Sequence, residues 1–248
     1  MLLIDESKEE NMAGIYDEDT FFTNYANMER SQGLEYAGEW KQLQALFPDV
    51  SNQRVLDLGC GMGWHARYFA DHGAHFVLAL DLSENMLAKA RALHRSPKIE
   101  YRQADLSSFS IEGSFDFVFA NLCLHYLDDL STLFRQVYAT LEKGGVFLFN
   151  IEHPVFTAGD QQWIGEDTNH PVWKVDAYFQ EGARKTRFLD CEVVKYHHTL
   201  TTLLNGLLQT GFRLEAVEEV VPSSKLLDPK TYALEMRRPM MLLVKARK

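Results

Sequence analysis

The chain has little cysteine: only Cys60, Cys123 and Cys191. They are odd in number, far apart and without a C-x-x-C pair. Neither a disulfide framework nor a structural zinc site is indicated, and a reducing, cytoplasmic setting fits. No window of ~18 apolar residues exists, which excludes a transmembrane helix and predicts no membrane partner. The opening MLLIDESKEE lacks a basic segment ahead of a long apolar run, so no secretory signal is expected. Internal repeats and low-complexity segments are missing too. Positive charge is scarce: 25 Lys and Arg stand against 35 Asp and Glu, a net charge of −10. Such a chain has no broad basic field with which to release counterions from a nucleic acid, so none is expected as partner. Part of the acidity is local, with seven acids and one Lys between Asp5 and Asp19, a pattern that reads as a solvated arm.

What is present is a length of 248 residues, enough for a substantial core, and a soluble-type composition that is 46% hydrophobic and 24% charged. Residues 17–47 read as two aromatic-rich helices separated near Gly33, one with Phe21, Phe22, Tyr25 and Met28 on a stripe, the other with Trp40, Leu43, Leu46 and Phe47. From Arg54 strands and helices alternate. Strands are predicted at Val55–Leu58, His75–Leu80, Ile99–Gln103, Phe115–Ala120 and Val146–Ile151. Helices are predicted at Trp64–His72, Glu84–His94 and Leu130–Leu141. This rhythm implies a parallel sheet covered on both faces. It fails after Ile151, where Val172–Phe179 and Arg187–Tyr196 are predicted to pair across Gln180-Glu181-Gly182. A helix over Thr199–Thr210 and strands over Arg213–Val221 and Met240–Ala246 close the chain. The Pro-bearing stretch between those strands reads as loop with one helical turn.

The most informative stretch is Arg54–Ala70, RVLDLGCGMGWHARYFA. It reads as strand, tight turn and helix, with Gly59, Gly61 and Gly63 at alternate positions and Asp57 inside the strand. Glycines there let the backbone take positive φ and approach a ligand closely. Two readings compete. Gly61-Met62-Gly63-Trp64-His65-Ala66 satisfies G-x-G-x-x-A, and Asp81 lies twenty positions after Gly61, as in a dinucleotide-binding oxidoreductase. The other reading accounts for more of the chain. Asp57-Leu58-Gly59-Cys60-Gly61-Met62-Gly63 resembles the D-x-G-x-G-x-G turn of class I S-adenosylmethionine (SAM)-dependent methyltransferases. Leu80-Asp81-Leu82-Ser83, Ala104-Asp105-Leu106, the Phe115–Ala120 strand followed by Asn121, Leu141-Glu142-Lys143-Gly144-Gly145, and Gly211-Phe212 resemble later landmarks of that family in the same order. A dehydrogenase explains neither Asp57 nor Asp105.

The resemblance implies a Rossmann-like α/β fold: a mostly parallel seven-stranded sheet with an antiparallel C-terminal strand. An N-terminal helical cap (1–50), a SAM-binding core (51–151), an inserted substrate lid (152–198) and a C-terminal helix with a strand hairpin (199–248) make up one domain. It further implies SAM as cofactor and S-adenosylhomocysteine as product. Asp57, Gly59, Cys60, Gly61 and Gly63 would lie at the methionine end, Asp81 and Leu82 at the ribose, and Asp105 and Leu106 at the adenine. Met86 and Leu106 are candidates for sandwiching the nucleoside, with Met86 also fitting a core position. Asn121, following the fourth strand, is a further candidate for binding SAM. Tyr25 and Arg30 are candidates to close over SAM, Arg30 facing its carboxylate; packing and a surface charge are the alternatives for them.

A methyl on a sulfonium is already activated, so a general base is needed only when the nucleophile arrives protonated. His153 and His125, both leaving C-terminal strand ends, are the candidate catalytic residues; each also reads as a hydrogen-bonding core histidine. The spacing of Glu152, His153, His170, His197 and His198 fits no metal-ligand pattern, so no metal is expected. The expected function is transfer of methyl to an O or N of a small molecule, of a broadly UbiE-like type. An NAD(P)-dependent oxidoreductase, a non-catalytic SAM-binding protein and a protein or RNA methyltransferase are the alternatives.

Overall fold

The computed structural model describes residues 12–108, 110, 113–165, 168 and 170–248; the acidic positions 5–11 lie outside them. Two short helices, α1 (Asp19–Ala26) and α2 (Trp40–Leu46), are joined by 3-10 turns at Glu29–Ser31 and Leu34–Tyr36. The alternating region follows: β1 (Arg54–Leu58), α3 (Trp64–Asp71), β2 (Phe76–Asp81), α4 (Glu84–Leu93), β3 (Ile99–Gln103), β4 (Phe115–Asn121), α5 (Leu130–Thr140) and β5 (Leu141–Glu152). The insertion holds α6 (Pro154–Thr157), β6 (Trp163–Ile164), β7 (Val172–Trp173), β8 (Gly182–Phe188) and β9 (Cys191–His197). The chain closes with α7 (Leu200–Thr210), β10 (Arg213–Glu219), α8 (Pro229–Glu235) and β11 (Met241–Arg247). The stretch before β11 thus carries a seven-residue helix, capped by Asp228, where a single turn is expected from its prolines.

Seven strands form one sheet in the order β10-β11-β5-β4-β1-β2-β3. Neighbours from β3 to β5 are parallel, and β11 runs antiparallel to both β5 and β10. Side chains alternate across this sheet, so each strand feeds two cores. Val55, Phe117, Phe119 and Leu148 meet Phe69, Ala66 and Leu87 on one face. Leu56, Val118, Phe147 and Phe149 meet Leu133, Phe134, Leu203 and Leu207 on the other. Each fully buried Phe contributes about 1.5–3 kcal/mol relative to exposure, so these paired cores hold the sheet rigid under its loops.

Helix α5 starts where Asp129 accepts from the backbone N–H of Thr132 at 3.0 Å, meeting one of the donors that a helix start leaves open. Replacing Asp129 with Ala should therefore cost about 1 kcal/mol. Urea unfolding would register it, and an unchanged midpoint would remove that cap from the stability of the domain.

The insertion departs from expectation. Val172–Trp173 pairs with Trp163–Ile164, and the partner of Cys191–His197 is Gly182–Phe188. The turn is made by Leu189 and Asp190, both at positive φ (51° and 65°) without a glycine. A two-residue turn with that twist suits a hairpin, but Leu-Asp carries none of its usual sequence signal. The glycine at 182 instead begins the strand.

Because β1 to β5 are parallel, the loops after Leu58, Asp81, Gln103, Asn121 and Glu152 all emerge along one edge. The N-terminal segment and the β8–β9 hairpin cover that edge. Phe21 lies edge-on to Phe188, and Trp64 donates to the Ser31 carbonyl at 3.2 Å. The insertion is also fastened to the α8–β11 segment: Arg238 pairs with Glu235 and lies over Trp173 (4.3 Å) and Phe156 (4.7 Å). Among the described residues no helix is long and apolar enough to cross a membrane.

Candidate active site

The glycine turn is shaped by what each glycine faces. Gly59 and Gly63 have positive φ (65° and 83°), and a Cβ at either would collide, with Cys123 at 2.4 Å or with the Tyr101 hydroxyl at 2.6 Å. Gly61 also has positive φ (52°), but a Cβ there would meet nothing within 4 Å. So the outer two glycines permit tight packing, and the middle one turns bare backbone toward open space. Helix α3 begins at this turn with Gly63 as its N-cap, which has no side chain to offer. Asp57, 1% exposed on the neighbouring strand, takes that role through the N–H of Ala66. Burial, with the Asp81 charge adding, pushes the Asp57 carboxyl well up, against the pull of that N–H. Its Oδ2 has no partner.

Asp81 ends β2 beside the turn. Its Oδ2 accepts from Gly61 N–H at 2.8 Å and its Oδ1 from Ser83 N–H at 3.0 Å. Burial raises its pKa although these backbone N–H groups oppose this. A carboxylate has about four lone-pair positions, so two remain for a ligand. Ser83 caps α4 and donates to Asp17 at 2.6 Å, which pins the N-terminal segment over this corner. Leu82 is half-buried here and Met86 fully buried one turn into α4. Asp105 is exposed after β3 and closes its own turn by accepting from Ser107 N–H at 2.8 Å; Leu106 packs partly into the core. Cys60 is buried, its thiol pushed up by burial and the two Asp charges, as suits a filler more than a nucleophile.

A buried polar chain runs from the cap to the sheet. Arg30 pairs with Glu39, which is 1% exposed; Asn121 donates to the same Glu39 oxygen at 3.4 Å and accepts from Asn150 at 2.9 Å. Glu39 Oε2 and Asn150 Oδ1 are left without partners. Tyr25 lies by Arg30, its pKa raised by burial against the pull of that cation, and Tyr16 bonds the Tyr126 hydroxyl at 3.0 Å.

The two histidines separate. His153 Nδ1 accepts from Val155 N–H at 3.0 Å, capping α6, and its Nε2 lies 3.2 Å from Glu219, outside hydrogen-bond alignment. Its ring is thus held by backbone and by β10. His125 is 3% exposed and lies 4.0 Å through Nε2 from Glu152, while its Nδ1 has no partner. Burial, with Lys195 and Arg30 adding and Glu152 opposing, pulls its pKa down to about 4. Glu152 pairs with Lys195 of β9 and accepts from Gln161 at 3.2 Å. Among the described residues no group of three His, Cys, Asp or Glu side chains could hold a metal ion.

Glu39, Lys195 and Gln161 are absent from the sequence reading. Lys195 carried a signal: in the alternating burial of β9 it shares the inward face with Val193 and His197. Glu39 carried none, because an acid at a helix start reads as a dipole partner.

Residues 56–149 match the model of the methyltransferase domain family. A solved SAM-dependent methyltransferase of Mesorhizobium loti is 44% identical, with a TM-score of 0.81, over 87% of this chain and 100% of the other. This chain belongs to the SAM-dependent methyltransferases. The dehydrogenase reading of the glycine turn gives way accordingly, and SAM is the cofactor. An uncharacterized protein of Haemophilus influenzae is 29% identical over 96% of this chain and 98% of its own length. A malonyl-[acyl-carrier protein] O-methyltransferase of Erwinia billingiae is 29% identical over 77% of this chain and 68% of its own.

Proposed function

We propose that this methyltransferase acts on an oxygen or nitrogen of a small molecule held beneath the insertion, with residues 51–151 binding SAM. The observation that carries the acceptor size is enclosure. His125 and Lys195 are almost fully buried between the β4 and β5 ends, the N-terminal segment and the β8–β9 hairpin. The Erwinia relative, an O-methyltransferase, supports oxygen.

The residues fit the cofactor. Two free lone-pair positions on Asp81 match the two ribose hydroxyls, and the Asp105 oxygen outside its turn suits the adenine amine. The bare backbone at Gly61, with Cys60 beside it, suits close approach of the methionine end. The partnerless oxygens of Glu39 and Asp57 are acceptors suited to an ammonium, directly or through water; Arg30, whose guanidinium has donors beyond its bond to Glu39, suits a carboxylate. SAM supplies a methyl carbon on a cationic sulfur, which keeps the C–S electron pair when the methyl leaves. The chain's work is positioning, water exclusion and proton removal. For the last we assign His125: with Nε2 protonated and facing Glu152, Nδ1 is an open acceptor. His153, whose Nδ1 is committed to α6, serves here as a positioning residue for the loop after β5.

A panel of small hydroxy, carboxy and amino compounds, scored by S-adenosylhomocysteine release, tests this reading. Turnover is expected with one class, slowed at least tenfold in His125→Asn while SAM affinity holds. Tight SAM binding with no turnover on the whole panel would favour a non-catalytic SAM-binding protein.

A further inference from the structure

A cation, an anion and an uncharged imidazole meet under the insertion. Glu152, at the end of β5, is bonded by Lys195 from β9 and by Gln161, whose own carbonyl accepts from Thr186 of β8 at 2.8 Å. Lys195 is 5% exposed and lies 5.2 Å from the Phe188 ring centre. So one carboxylate at the end of β5 is tied to both strands of the hairpin. His125 faces that same carboxylate at 4.0 Å, within ion-pair range but too far for a hydrogen bond. The other groups facing His125 are the Arg30 cation from the cap and Tyr126, its neighbour in the chain.

We propose that Glu152 is a positioning residue shared between His125 and the lid, so that protonation of His125 competes with Lys195 and loosens the lid. This rests on the assignment of His125 as the base. With the lid seated, Lys195 neutralises Glu152, and His125 stays uncharged with Nδ1 open. When the acceptor's proton passes to Nδ1, the ring becomes a cation 4.0 Å from Glu152. One buried carboxylate then faces two cations, and the Lys195 bond weakens as the imidazolium bond strengthens. Linkage makes this reciprocal: whatever seating the lid does to the proton affinity of His125, protonating His125 does to the seating of the lid. The chemical step thereby primes product release.

The test follows the His125 ring by NMR in 15N-histidine-labelled full-length protein saturated with S-adenosylhomocysteine, the signal being assigned by its loss in His125→Asn. The wild-type ring should titrate near pH 4. In Lys195→Met the midpoint should rise by about one pH unit or more, since a carboxylate within 4–6 Å favours the charged ring. In Lys195→Met with Glu152→Gln it should fall back, and in Lys195→Arg it should stay. A midpoint unmoved in Lys195→Met overturns the proposal. So does a rise that survives in the double variant, which would mean that the ring had merely become exposed. If Lys195→Met does not fold, Lys195→Gln carries the same reading. The titration needs no acceptor, so failure of His125 as base shows separately, as unimpaired turnover in His125→Asn.

Discussion

Asp81→Ala should weaken SAM binding at least about 100-fold. In the proposed role, two charge-assisted hydrogen bonds to the ribose are lost, each worth roughly 1.5–3 kcal/mol, and each 1.4 kcal/mol is tenfold in affinity. The change also strips Gly61 N–H and Ser83 N–H of their acceptor, so the turn loses its present shape together with its ligand contacts. Asp81→Asn keeps the volume and one oxygen and should fall between. Calorimetry on the folded variants measures all three. Affinity within threefold of wild type in Asp81→Ala would take Asp81 out of the ribose role. There is a pH signature as well. Burial raises the Asp81 pKa, so its charge is lost, as pH falls, sooner than that of an exposed carboxylate. SAM affinity should therefore decline on acidification earlier than an ordinary exposed carboxylate would allow.

Alanine substitutions two residues apart, at Gly59 and Gly61, should separate stability from binding. In Gly59→Ala the new Cβ lies 2.4 Å from the Cys123 Cβ, on backbone at φ 65°. The left-handed conformation costs about 1–2 kcal/mol and forced overpacking about 1–3 kcal/mol more. For a domain of this size that corresponds to a drop of roughly 10 °C in melting temperature. Gly61→Ala bears only the conformational cost, because its Cβ meets nothing within 4 Å. It should melt a few degrees below wild type, by the roughly 2–4 °C per kcal/mol of such domains, yet lose SAM, since the added methyl occupies the face turned to the ligand. Thermal unfolding and calorimetry on both variants read this contrast. Equal loss of stability in the two would mean that Gly61 is as packed as Gly59. Full SAM affinity in Gly61→Ala would move the methionine end elsewhere.

The fold was legible because its determinants are local and periodic. Each strand of the sheet is bounded by a turn residue, and each helix shows an apolar stripe, so β1 to β5 differ from expectation chiefly at their ends. The extra residues of β5 before Val146 run through Gly144 at φ 82°, a kink that reads as a loop in sequence. The corner proposed for the cofactor could be marked out for a related reason: acids at successive strand ends, in that order, are informative. The corner proposed for the acceptor could not. Its ion pair joins residues 43 apart, and its hairpin turns on Leu189-Asp190, where side chains that disfavour positive φ are held by the register of the strands around them. Long-range pairing of this kind leaves no trace in local spacing.

The Glu152–Lys195 bond has one more consequence, for how the domain tolerates change. It fastens the two feet of the insertion together at the rim of the sheet, so everything between them is a closed loop whose ends are already fixed. Lengthening such a loop is inexpensive: each doubling costs only about 0.6 kcal/mol in closure entropy. Within that span, connections away from the anchored Phe156, Gln161 and Trp173 should therefore accept added residues at little cost to the fold beneath. The ion pair would then let the loops above it vary in length while the sheet below keeps its register.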